Sequence, residues 1–398
     1  MRAAEDAEEE RILTEARVGL VRRMDEGGTV LSSRLAEAFL NVPRHPFVPV
    51  FYRRDGERFV PWPRPDGGLA AWAAQVYADD SLITEVDGLH AEDAGPEPVT
   101  GVPTSSSTAP SLMADMLDAL DVEPGTRVLE IGTGTGCNAA LLCRLAGAEN
   151  VVTVDTSERL VAAARERLGA LGPAPVVRTA DGAAGVPGHA SFDRVIATCS
   201  VRRVPAAWLD RCAVDGLLVV PLKGTLAGGV LARLTKLPDG TAAGHLLHTP
   251  AAFMPLLPPG AGARGAADDP GTAADGRHRD SPLSGRVLDD WTFSFFAQLH
   301  LGPDTERAYR HTGGGAHTTV LYDPGDGSRT RVTDHGGRPG AAVTVFGPRD
   351  LWAPVERAYE RWRALHRPRR EWFTVRVGPH GQTLAYTAPG GRTHHWDL

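Results

Sequence analysis

Arg127-Val-Leu-Glu-Ile-Gly-Thr-Gly-Thr-Gly-Cys137, followed by Val151-Val-Thr-Val-Asp155, decides the fold. A short apolar run carries Glu130 near its end, turns through Gly132, Gly134 and Gly136, and enters a helical pattern at Asn138. A second apolar run ends in Asp155. Strand, glycine turn, helix, strand and acid in this order make the nucleoside end of a doubly wound sheet. The glycines let the backbone pass close to a ligand, and the acid at the second strand tip can accept both ribose hydroxyls. A dinucleotide site would read G-x-G-x-x-G, with a helix N-terminus facing a pyrophosphate. Here the glycines run G-x-G-x-G behind an acid, which suits a nucleoside with an amino group and no phosphates. The expected cofactor is S-adenosylmethionine, held by Glu130, Ile131, Gly132, Thr133, Gly134, Gly136, Asn138, Asp155 and Thr156. Thr179-Ala-Asp-Gly182 follows a further strand pattern and adds Asp181 and Gly182. Its acid can accept the adenine amino group, although a plain Asp-Gly turn would read the same.

Outward from this unit, the strand and helix signals continue. Helices are expected at 137–146 and at 157–171, the second opened by Ser157 and closed by Gly172. Strand patterns recur at 175–179, 192–198 and 216–222, and Val230 to Leu237 with Asp239-Gly240 reads as half of a hairpin. The alternation implies an α/β fold with a mostly parallel sheet and an antiparallel pair at its end. Upstream, about 5 to 45 reads as two helices, the stretch to about 75 as irregular, and Pro110 to Leu120 as an amphipathic helix with proline at its start.

Between 258 and 285 the composition turns to Pro, Gly and Ala, as in a flexible linker. Beyond it, 286–398 reads as a separate α+β domain. It has two hairpins, turning at Pro324 to Gly327 and Gly378 to Gly381, and a helix from about 351 to 366. Trp291 to Leu301 fits helix or strand equally. Five of the eight tryptophans fall after 285, which makes an aromatic core, with peptide contact as the alternative. The expected division is thus 1–100, an N-terminal helical and irregular segment; 101–257, the nucleoside-binding domain; 258–285, the linker; and 286–398, the C-terminal domain.

Composition bounds the partners. The chain has 398 residues, a net charge of −7 and 42% hydrophobic residues, enough for real cores. The basic stretch Arg361 to Arg370 stands alone, which argues against nucleic acid. No apolar run reaches membrane-spanning length and the acidic N-terminus lacks a signal peptide's apolar core, so a soluble cytoplasmic protein is expected. Cys137, Cys143, Cys199 and Cys212 show no paired spacing and read as apolar thiols. His245 with His248, and His394 with His395, lack the context of metal ligands, so no metal is expected.

A second constellation is Pro103-Thr-Ser-Ser-Ser-Thr-Ala-Pro110, small hydroxyls in a loop just before a helix. It reads either as a solvated loop with a helix cap or as donors that grip a carboxylate. Thr108, with Ser107 and Ser106 as helpers, is the candidate grip.

From 34 to about 235 the chain resembles the protein-L-isoaspartate O-methyltransferases. The resemblance rests on Val42-Pro-Arg44 with Phe47-Val-Pro49, on Tyr77 to Leu82, on Ser107 to Pro110, and on Val128 to Gly134. Ala180-Asp-Gly182 and Val204-Pro205 complete it. It implies a Rossmann-like class I methyltransferase sheet and methyl transfer to a carboxylate. Thr104 to Thr108 stands where the family usually has Gly-Gln-Thr-Ile-Ser, Ala180 replaces a glycine, and about twenty residues near 84–103 are inserted. Residues 286–398 have no expected counterpart in the repair enzymes. The Thr-Ser-Ser-Ser run, Phe296 to His300 and Leu351-Trp352 are similar to a narrower group, the methyltransferases that accompany ATP-grasp peptide ligases. That resemblance implies a ligase in the same pathway and methylation of an aspartate in a crosslinked ribosomal peptide (a graspetide), leading to aspartimide or isoaspartate. Repair of isoaspartyl protein, tailoring of lanthipeptides or lasso peptides, and a non-catalytic S-adenosylmethionine-binding module are the alternatives.

Overall fold

The computed structural model describes residues 2–29, 31–63, 68–172, 174–186, 188, 191–226, 228–260, 276–311 and 317–398. Its centre is a ten-stranded sheet. Five parallel strands come first, in the spatial order 176–179, 151–155, 128–131, 192–197 and 212–222. The chain winds outward from Val128–Ile131 in one direction, then returns beside it with Phe192–Ala197. A crevice opens at the carboxyl ends of these two strands, where such sheets bind ligands. Val128, Leu129, Glu130 and Ile131 are all buried. An apolar run explains three of them, since a strand covered on both faces carries no alternation. Glu130 is the exception, and it belongs to the site.

Local chemistry fixes the surrounding elements. Helix Cys137–Ala146 starts from Gly136 at φ 89°, and a Cβ there would come 3.1 Å from Ala164 Cβ. Ser157 caps helix Glu158–Ala170 by accepting from Leu160 N. Pro110 opens helix Pro110–Leu120.

Two expectations about organisation are corrected. First, the sheet does not end in one antiparallel pair: Val230–Lys236 and Ala242–Pro250 are followed by Thr374–Gly378, Gly381–Thr387 and Thr393–Asp397. The segment 286–398 is therefore not a separate domain. Ala242 pairs with Val377 and His245 with Thr374, and one apolar core runs from Leu129 and Val195 to Trp352, Phe373 and Trp396. The Gln382 amide seals the junction, donating to Val204 O at 2.7 Å and accepting from Val204 N at 2.8 Å. Second, of the linker at 258–285, residues 261–275 lie outside the described ones, and Arg277–Ser281 is a strand. It pairs with Ala341–Phe346 at the edge of a five-stranded antiparallel sheet. Trp291–Gln298 is helical and both expected hairpins form. The C-terminal tryptophans Trp352, Trp362 and Trp396 are core residues, whereas Trp372 is 48% exposed.

The N-terminal region is also more regular than its sequence. Val50–Asp55 and Arg58–Pro63 form a hairpin, and Leu69–Val76 is a helix packed on Arg2–Glu26. The insertion near 84–103 is anchored to helix Glu158–Ala170 by ion pairs from Arg167 to Glu92 and from Arg159 to Asp93. No helix among the described residues is long and apolar enough to cross a membrane.

Candidate active site

A cavity of about 380 Å³ lies at the crevice between the strand ends. Glu130 to Thr133, Thr198-Cys199, Asp155 with Thr156, and Thr104 to Thr108 line it. The segment 252–257, which runs beside Ser200 through bonds from Ser200 N to Met254 O and from Leu256 N to Ser200 O, also lines it.

The two acids of the opening motif take different roles. Asp155 sits at its strand tip and accepts from Gly134 N at 2.9 Å and from Ser157 N at 3.1 Å. Glu130 accepts from Asn138 Nδ2 at 2.7 Å and from Thr153 Oγ1 at 2.6 Å. Thr153 in turn shares a 2.7 Å contact with Thr133. Burial pushes the Glu130 carboxyl up to about 7, against the two hydrogen bonds that favour its charged form.

The sign of this shift sets a pH dependence. Between 4.5 and about 7 the folded chain holds the Glu130 proton that the unfolded chain has lost. Stability from this group is full below 4.5 and is lost as pH rises through about 7. Urea unfolding free energy is expected to fall over that window, by about 3 kcal/mol at most. Glu130→Gln should remove the fall; an unchanged slope in that variant assigns it to other groups.

The glycines are not equivalent. Gly132, at φ 100°, has room for no side chain, since a Cβ would lie 2.6 Å from Thr198 Oγ1. At Gly134 a Cβ would project toward the cavity, with only Ser106 O inside 4 Å, at 3.8 Å. The hydroxyl segment therefore lies against the glycine turn. Asn138 Oδ1 is buried and accepts no hydrogen bond within the described chain. Two acids, a backbone turn open to close approach and an orphaned acceptor fit a cationic nucleoside carrying an amino group.

Of the expected cofactor residues, Glu130, Ile131, Gly132, Thr133, Gly134, Asn138, Asp155, Thr156 and Gly182 line the cavity. Gly136 and Asp181 do not. Gly136 packs against Ala164 and Phe47. Asp181 caps a short turn, accepting from Ala183 N at 2.9 Å, the plain role that an Asp-Gly step also predicts.

The hydroxyl segment is not a loop. Pro103–Ser107 is a strand, paired with Leu82–Val86 so that Leu82 faces Ser107 and Ile83 faces Ser106. Alternation along it buries Ser105 and Ser107, while Thr104 and Ser106 turn the other way. Ser105 accepts from Thr84, and Ser107 accepts from Arg44 Nε at 3.3 Å. Ser107 therefore braces the strand. The Ser106 and Thr108 side-chain hydroxyls make no hydrogen bond among the described residues and line the cavity. Sequence reasoning gave no site role to Arg44 or to 252–257; a lone Arg after Val-Pro and a short apolar run carry no local signal of what they meet.

Comparison with known proteins bears on family and fold. The pattern of the Protein-L-isoaspartate(D-aspartate) O-methyltransferase (PCMT) family matches residues 92–257. The protein-L-isoaspartate O-methyltransferase of Ignicoccus hospitalis is 33% identical over 240 residues, covering 60% of this chain and 95% of its own length. That of Methanopyrus kandleri is 31% identical, covering 63% and 95%. A solved protein-L-isoaspartate O-methyltransferase superposes with a TM-score of 0.51 at 22% identity, covering 93% of this chain and 99% of its own. That coverage reaches into 286–398, so the C-terminal segment does have a counterpart in fold, contrary to the expectation from sequence.

Proposed function

The chain belongs to the protein-L-isoaspartate O-methyltransferase family, and from that premise we propose that its acceptor is the carboxylate of an aspartyl-derived residue in a peptide. It has the class I methyltransferase fold and is an S-adenosylmethionine-dependent carboxyl O-methyltransferase. The cofactor, when bound, supplies a methyl group on a cationic sulfur that leaves as a neutral thioether. Glu130, Asn138, Asp155 and the turn through Gly132 and Gly134 would hold it.

One observation carries the reading: the cavity pairs an adenosine-type site with hydroxyl donors, while its two acids are already committed, Glu130 to Asn138 and Thr153 and Asp155 to Gly134 N and Ser157 N. The titratable side chains lining it beyond Glu130 and Asp155 are Arg44, Tyr77, Cys137 and Cys199. Burial holds Cys137 up at about 11, and Cys199 and Tyr77 at about 12. None removes a proton at neutral pH, and a carboxylate acceptor needs none removed, being ionised already. The chain's task is to desolvate and orient it, for which Ser106 and Thr108 are placed. Thr108→Ala should lower turnover about tenfold, the order of one hydrogen bond to a charged group, with S-adenosylhomocysteine affinity unchanged. Equal loss of both would take Thr108 out of this role.

The relatives support isoaspartyl peptide as the acceptor. A second reading, an aspartate in a crosslinked ribosomal peptide made by an ATP-grasp ligase, draws support from Thr104 to Thr108, which departs from the family's Gly-Gln-Thr-Ile-Ser. In either case the backbone nitrogen of the next residue can attack the methyl ester, expel methanol and close an aspartimide. The test incubates the protein with S-adenosylmethionine and three peptides of one sequence: isoaspartyl, aspartyl, and aspartyl after ligase crosslinking. Mass spectra should show methyl gain, then methanol loss. Turnover of the isoaspartyl peptide alone supports the first reading, turnover of the crosslinked one alone the second, and turnover of none overturns both.

A further inference from the structure

The most heavily engaged side chain at the cavity belongs to Arg44, a residue with no role in the scheme above. It is 4% exposed, lies three residues beyond the helix Ser33–Asn41 and directly precedes the single turn His45–Phe47. Nη1 donates to Val76 O at 2.9 Å and to Ala78 O at 3.0 Å. Nη2 donates to Asp80 O at 2.9 Å and to Ser107 O and Thr108 O, both at 3.1 Å. With Nε on Ser107 Oγ, the guanidinium ties the end of helix Leu69–Val76 to the end of the hydroxyl strand.

Every one of these acceptors is neutral. No carboxylate lies within salt-bridge distance of Arg44 among the described residues. Asp79 and Asp80 act on it through space, but their carboxylates make their hydrogen bonds elsewhere, Asp79 accepting from Ser111 N at 2.8 Å and Asp80 from Ser81 N at 2.7 Å. Carbonyl dipoles, including those at the helix C-terminus, solvate a cation without cancelling its charge. An arginine cannot shed its proton to escape burial. A full positive charge thus stands beside a cavity that Glu130 and Asp155 also line. Burying an unpaired charge is costly, and such a charge is normally paired.

We propose that Arg44 is a specificity-determining residue: its buried charge, in contact with no carboxylate, sits behind the Thr108 backbone and makes the acceptor subsite select a carboxylate over the neutral carboxamide of the same shape. The inference rests on the carboxylate-acceptor reading and names the group that enforces it. Arg44 acts through space and through the Ser107-Thr108 backbone; its own N–H groups are spent on carbonyls and the Ser107 hydroxyl, so it donates nothing to the acceptor. The two acids favour the cationic cofactor, and Arg44 favours the anionic acceptor, so each reactant meets a complementary charge in one cavity. In a site of reduced dielectric this charge gives an order of magnitude of preference.

The test uses the full chain with S-adenosylhomocysteine bound and an isoaspartyl hexapeptide against its carboxamide isostere, both read by calorimetry. The wild type should bind the carboxylate peptide at least about tenfold tighter. Arg44→Gln, which keeps some hydrogen bonds but no charge, should bring that ratio to within about twofold. Arg44→Lys, which keeps the charge and loses the fork, should hold most of the preference while turnover falls from the slackened strand. Near-equal ratios in all three proteins, or loss of the preference in Arg44→Lys as well, overturn the proposal and leave Arg44 as a clamp. Should Arg44→Gln not fold, the lysine variant alone decides by the same ratio. If wild-type protein turns over no isoaspartyl or crosslinked peptide, the acceptor reading fails separately. A general preference for carboxylate, measured by calorimetric binding of acetate against acetamide, would still report on Arg44.

Discussion

Asp155→Asn is expected to weaken S-adenosylhomocysteine binding about a hundredfold while leaving the chain folded. The carboxylate already holds the glycine turn to the strand tip through Gly134 N and Ser157 N. It lines the cavity beside Thr156. An asparagine offers one acceptor where two are in use, so whichever way it turns its NH2 group faces a backbone N–H. The substitution therefore loosens the turn and removes an ionised acceptor for a ribose diol at once. Two hydrogen bonds to a charged group, at roughly 1.5 kcal/mol or more each, give the hundredfold figure. Calorimetric titration checks it, and affinity within threefold of wild type would remove Asp155 from the cofactor site. Circular dichroism should be unchanged, because the parallel pairing of Val151–Asp155 with its neighbours does not involve the side chain.

The second large effect concerns stability. Trp352 is fully buried, far along the chain from the glycine turn, and its Nε1 donates to Ser281 Oγ at 2.9 Å. It shares one apolar core with Leu129, Val195 and Val220. Trp352→Ala should cost about 3–5 kcal/mol, the usual range for removing a buried tryptophan. Because the core is continuous, thermal unfolding should remain a single transition at lower temperature, with S-adenosylhomocysteine binding lost in the same step. A calorimetric scan with two transitions, the ligand-protected one unshifted, would show instead that the C-terminal region melts by itself and that the shared core does not bind the two parts cooperatively.

What the sequence made legible follows from how local the signal is. Strand 128–131, helix 137–146 and strand 151–155 were readable because an apolar run, a glycine turn and a helical period are each settled by neighbouring residues. The hydroxyl run 103–107 reads as a loop because serine and threonine are common turn residues. Its strand character comes from pairing with Leu82–Val86, across the inserted segment. The hairpin 50–63 was hidden by its prolines and tryptophan, although its register is regular from Val50 and Pro63 to Asp55 and Arg58. The expected domain border failed for the same reason: nothing in Ala242–Pro250 announces that its partner is Thr374–Gly378. Site residues divide likewise. Glu130 and Asp155 sit at strand positions that periodicity defines, whereas Arg44 owes its place to two backbone stretches distant in sequence, 76–80 and 107–108.

The shared sheet also constrains how the protein is made. During synthesis the strand Ala242–Pro250 emerges long before Thr374–Gly378, which covers its outer side. Until then the nascent chain on the ribosome carries a bare strand edge, the kind of surface that recruits other chains. Truncation before Thr374 would make that transient state permanent, yielding a protein that retains its nucleoside-binding motif but precipitates as it is expressed.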